Sequence, residues 1–158
     1  MIVLPITLTI AAAAALINIW IASRVGTLRR RLKIAIGDGD NPLLTARMRA
    51  HANFSEYVPL FLILLALVEL AEDSRPWLWG VGALFVLGRI LHVFGMDRQT
   101  VNTLRGAGIG LSLLCTAGLA IYAIAIPYLH RARMNAIHYA AQPPASTLSP
   151  TNGLLSRS

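Results

Sequence analysis

Four long apolar runs, separated by short polar connectors, set the pattern of this chain. Residues 2–22, IVLPITLTIAAAAALINIWIA, carry no charge, and as a helix they would span about 32 Å, enough for the hydrocarbon core of a bilayer. The run reads as a retained membrane helix over 2–33, since RRRLK holds no breaker before Gly37. A cleaved leader is the rival, but it would need a positively charged start. Asn18 is the one strongly polar side chain within the run, placed to bond a neighbouring helix. Further helices are predicted over 43–72, 77–96 and 104–129. GDGDNP supplies the first turn, because Gly, Asp and Asn accept unusual backbone angles and Pro42 suits a helical first turn. DSRP supplies the next, with Trp77 and Trp79 where an interfacial aromatic belt belongs. Beyond His130 the sequence is rich in Pro, Ser and Thr and loses periodicity, so 131–158 reads as a disordered tail. The expected fold is all-α, an integral membrane four-helix bundle over residues 1–130.

Composition agrees with that pattern. The 158 residues are 56% hydrophobic and 13% charged, whereas about a quarter of a soluble domain is charged. The net charge of +7 would suit nucleic acid, but the cations sit in connectors between apolar runs, which is the pattern of membrane orientation. Arg24, Arg29, Arg30, Arg31, Lys33, Arg47, Arg49, Arg98 and Arg105 lie on one side; Arg75, Arg131, Arg133 and Arg157 lie on the other. The positive-inside rule puts the first group in the cytoplasm and both termini outside. Cys115 is the single cysteine and reads as a packing residue. Calcium binding by GDGDN fails, because the twelfth loop position counted from Asp38 is Arg49 rather than Glu. No metal site is expected from His51 and His92, two ligands on faces that do not obviously converge. Gly106 and Gly110, with Gly118 further on, read as a face for close packing against another helix, in this chain or across subunits.

The candidate chemistry lies in Arg47–Pro59, RMRAHANFSEYVP, where ionisable groups run into an apolar helix. Such groups are costly at membrane depth and are usually functional. At 100° per residue Arg49, Asn53 and Glu56 fall within about 60° of one another, while His51 points nearly the opposite way. The third run carries Arg89 and His92 near the same end, and Arg105 heads the fourth. Several cations, one carboxylate and an amide suit a small zwitterion with excess negative charge. The structural alternative is that they pair off, Glu56 with Arg89 or Arg49, to make burial tolerable.

RxRAHANFxEYxP, followed about thirty residues later by LGRILHVFG, resembles the MAPEG family (membrane-associated proteins in eicosanoid and glutathione metabolism), most of all its small bacterial members, whose GDG turn it shares. The resemblance spans helix 1 to the end of helix 4. It implies a homotrimer in the bacterial inner membrane, with glutathione as co-substrate between protomers near the cytoplasmic side and a lipophilic small molecule as second substrate. By position it carries glutathione binding to Arg49, Asn53, Glu56, Arg89 and His92, thiol activation to Arg105, and a helix 1 arginine to Arg24 or Arg29. The implied activity is a glutathione S-transferase or peroxidase. The alternatives are a non-catalytic membrane protein of the same fold and a small carrier. The chain departs from the eicosanoid-processing pattern at Ala52, Met96, Gly106 and Ile109, where those relatives carry arginine, tyrosine, serine and tyrosine. These departures point away from prostaglandin chemistry.

Overall fold

In a computed structural model, residues 3–140 are described. They form four helices: α1 (Pro5–Leu32), α2 (Pro42–Glu72), α3 (Pro76–Asp97) and α4 (Thr103–Ala140). Each is long and apolar enough to cross a membrane. The first three open on proline, which suits the first helical turn because the N–H it lacks would be unpaired there anyway. Asn41 caps α2 by accepting from the Leu44 amide at 3.0 Å. The expected turn is present, with Gly37, Gly39 and Asp40 all at positive φ. Lys33, also left-handed at φ 55°, closes α1.

Among the described residues α1 begins at Pro5 rather than at 2, and α4 runs to Ala140 rather than stopping at 129. The stretch RARMNAIHYA contains neither Gly nor Pro and several good helix formers, so nothing in it stops the helix. Residues 131–140, expected as tail, are therefore helical; 141–158 lie outside the described residues. The chain divides into two compact units after Ile124.

In the first unit α1, α2 and α3 pack on one another. Their shared core includes Ile6, Ile10 and Ile21 of α1, Phe54, Phe61 and Leu65 of α2, and Leu78 and Phe85 of α3. Phe61 and Phe85 stack in parallel with centroids 3.7 Å apart. Outward positions are apolar too, as at Leu60, Ile63 and Leu67 of α2 and Leu84 and Leu87 of α3. A soluble helix would turn a polar face outward; these helices meet lipid.

Polar contacts fix the two ends of the helices. Glu69 of α2 is buried and reaches the start of α1, accepting from the amides of Ile6 at 3.0 Å and Thr7 at 2.8 Å and from Ser74 Oγ at 2.8 Å. It caps a helix whose own N-cap, Leu4, has no capping side chain. At the opposite end Asp97 of α3 takes both Arg24 of α1 and Arg47 of α2, the latter at 3.4 Å. One carboxylate thus ties three helices together beside the site.

Candidate functional site

The polar side chains at the start of α2 are sorted by helical phase. Arg49, Asn53 and Glu56 share one face and line one cavity. His51 turns the other way, and its Nε2 lies 3.0 Å from Asn18 Oδ1 of α1. Arg47 belongs to the Asp97 cluster. Asn18 and His51 thus bond helix to helix, as the sequence position of Asn18 implied.

The α3 and α4 walls are set by backbone contact at glycine. A Cβ on Gly108 would fall 2.7 Å from Gly88 O and 2.8 Å from His92 Cα. A Cβ on Gly88 would fall 3.1 Å from Gly108 O. The two helices therefore touch main chain to main chain, as small residues allow in membranes. An added Cβ at Gly106, Gly110 or Gly118 meets nothing within 4 Å, so that expected face packs against no other described helix of this chain. Gly108, between the first two on the sequence, points at α3 and they point away from it. Asn102 then fixes the start of α4. Its Oδ1 accepts from the Arg105 amide at 3.0 Å, while its Nδ2 donates at 2.8 Å to the carbonyls of Gly95 and Thr100.

Together the three helices line an open cavity of about 460 Å³, formed by Arg49, Ala52, Asn53, Glu56, His92, Met96, Arg105 and Ile109. That volume lies in the range of small-molecule sites, about 300–1,000 Å³. Arg49, Ala52, Glu56 and Arg105 are exposed, so the cavity opens to the outside of the chain. The side chains of Arg49, Glu56 and Arg105 make no hydrogen bond or ion pair among the described residues. The pairing-off alternative does not hold, because the cluster's charges face the cavity unpaired. His92 is buried, with Nδ1 3.4 Å from the Arg105 carbonyl. That contact needs the proton on Nδ1, which leaves Nε2 as an acceptor. The cavity can therefore offer two cations, a carboxylate, a carboxamide and an imidazole acceptor to a small polar ligand. Its apolar side is made by Ala52, Met96 and Ile109, three of the four departures from the eicosanoid-processing pattern.

Arg89 and both helix 1 candidates, Arg24 and Arg29, are not on the cavity wall. Arg29 lies in the last turn of α1, donating to the Ala35 carbonyl at 3.2 Å and to Met48 Sδ at 3.3 Å, so it braces the connector. Arg24, the other helix 1 candidate, is held by Asp97. Arg89 is 1% exposed and sits behind the wall, where its Nη1 donates to Asn53 Oδ1 at 2.9 Å. Its guanidinium lies 5.2 Å from the centroid of Tyr57 and 5.9 Å from that of Phe85. Tyr57 was not singled out from the sequence, although it stands one helical turn after Asn53. Among the described residues no group of three or more His, Cys, Asp or Glu is placed to hold a metal ion.

Comparison with known proteins gives two findings. The sequence model of the MAPEG family matches residues 7–125, which take in all the cavity residues. The chain is also similar to the "Inner membrane protein YecN" of Escherichia coli strains K12 and CFT073. Each match is 28% identical over 90 residues, covering 56% of this chain and 68% of the relative.

Proposed function

The chain belongs to the MAPEG family, and from that premise we propose that it is a glutathione S-transferase of the bacterial inner membrane. A glutathione peroxidase is the variant of the same reading. The observation that carries it is the set of unpaired charges around one cavity: Arg49, Glu56 and Arg105, with Asn53 and His92 between them. Glutathione brings two carboxylates and one ammonium, which suits two guanidiniums and one carboxylate. Two exposed arginines could bind other anions, but a carboxylate beside them selects for a ligand that also carries a cation.

Arg105 is the residue proposed to act on the thiol. It stands in the first turn of α4, where the helix N-terminus and the guanidinium both favour an anion. A thiol with an ordinary pKa of about 8.5 is then partly ionised at neutral pH, and only the thiolate is nucleophilic. The thiolate sulfur forms a bond to an electrophilic carbon as the leaving group departs with its electron pair. In the peroxidase variant it attacks the O–O bond of a hydroperoxide and releases the alcohol, and a second glutathione completes the disulfide with loss of water. Ala52, Met96 and Ile109 give a lipophilic substrate an apolar wall, and they lack the hydroxyls and arginine of the eicosanoid pattern.

The outward opening supports a site closed by a second copy of the chain, in the homotrimer that the family resemblance implies. In that assembly a neighbour's α1 could bring Arg29 to the site. The name of the YecN relatives supports the inner membrane, and the clustered cations support a cytoplasmic opening with both termini outside. Purified protein in detergent should conjugate glutathione to an aryl halide, and Arg105→Ala should lower the rate by about 10²-fold, the scale of losing one charge-stabilising group. Turnover by Arg105→Ala equal to the wild type would remove the proposed role of that residue.

A further inference from the structure

Arg89 is an arginine without a counter-ion. It is 1% exposed, its Nε and Nη2 have no hydrogen-bond partner, and no carboxylate pairs with it among the described residues. Its one hydrogen bond runs from Nη1 to the Asn53 side chain at 2.9 Å. A guanidinium has only donors, so the Asn53 atom it meets must be the carbonyl oxygen. Turning the amide over would set NH₂ against N–H and remove the one acceptor of a buried cation. The orientation of this carboxamide is therefore fixed by chemistry. Asn53 lines the cavity, and its Nδ2 donates to nothing among the described residues.

We propose that Arg89 is a positioning residue: it locks the Asn53 carboxamide with Oδ1 inward, so that Nδ2 is presented as a donor and the site requires a ligand oxygen there. The group read at this point is a carbonyl or carboxylate oxygen. A ligand donor, such as an ammonium or an amide N–H, would meet another donor and be turned away. This rests on the reading of the cavity as a glutathione site, and it sets direction within it. The ammonium end belongs towards Glu56, and a carbonyl or carboxylate belongs at Asn53. Arg89 reaches the ligand only through Asn53 and as positive potential behind it.

The test is a near-isosteric change. Asn53→Asp gives Arg89 the counter-ion it lacks and replaces the donor facing the cavity with an acceptor. Glutathione affinity, measured by calorimetry in detergent, should fall on the order of tenfold to a hundredfold, the scale of losing a hydrogen bond to a charged group. The thermal midpoint of the ligand-free protein should hold or rise, which a merely structural role for Asn53 would not give. Arg89→Met should weaken binding by freeing the amide, and Arg89→Lys should restore part of it by keeping a donor at Oδ1. Wild-type-like affinity in Asn53→Asp or Arg89→Met would overturn this inference and leave the glutathione reading standing. If the wild type takes no glutathione at millimolar concentration, the reading itself falls and takes this inference with it.

Discussion

Gly95 of α3 lies directly against the backbone of Arg105 at the head of α4: a Cβ on Gly95 would fall 2.6 Å from Arg105 Cα. The residue proposed to activate the thiol is thus placed by the absence of a side chain on the neighbouring helix. Asn102 completes the placement by bonding the Gly95 carbonyl and the Arg105 amide with one carboxamide.

Gly95→Ala should therefore push the start of α4 away from α3. Overpacking of this kind costs about 1–3 kcal/mol, so the thermal midpoint in detergent should drop. Glutathione affinity should drop with it, because Arg105 moves. Gly80→Ala is the control, since an added Cβ there meets nothing within 4 Å; it should leave affinity unchanged and hold or raise the midpoint, as Ala favours a helix over Gly.

The Glu69 cap should be separable from the site. Glu69→Gln keeps the shape but turns an NH₂ towards amide N–H or hydroxyl donors, leaving a buried donor without its acceptor. The expected loss is about 1–3 kcal/mol, read as a lower thermal midpoint. Along α2 the cap is roughly 24 Å from Asn53 at about 1.5 Å per residue. Glutathione affinity measured below the unfolding range should be unchanged.

The first connector should show an acid-side dependence. Asp38 accepts from Thr45 Oγ1 at 2.6 Å and from the Asp40 amide at 3.2 Å. The Thr45 bond above all holds the Asp38 carboxyl below its ordinary 3.8. A carboxyl depressed in the folded state contributes stability above its unfolded pKa and loses it as pH falls through the folded value. Thr45→Val should lower the thermal midpoint at about pH 5 to 7, and the difference from wild type should shrink below about pH 4. A difference that stayed constant down to about pH 3 would assign the effect of Thr45 to something other than Asp38.

Much of this architecture was legible in the sequence because membrane helices announce themselves by length. A charge-free run such as 2–22 has one physical solution in lipid, with its backbone bonds closed internally. The shared face of Arg49, Asn53 and Glu56 was legible too, since helical phase needs only spacing. Depth was not. Spacing put Arg89 beside His92, but only packing shows that Arg89 lies behind Asn53 while His92 reaches the cavity. Direction was missing wherever a helix is small and apolar all round. On α4 the sequence offered Gly106 and Gly110 as readily as Gly108, and the α3 backbone decides among them. The role of Glu69 was not legible either, because its partners on α1 are main-chain amides, which leave no trace in a side-chain pattern.

Whether this cavity holds glutathione as a thiolate is read from ultraviolet thiolate absorbance as glutathione is titrated into the detergent-solubilised protein. Saturable absorbance at neutral pH that disappears in Arg105→Ala is the expected result. No thiolate signal and no heat of binding at millimolar glutathione would contradict it.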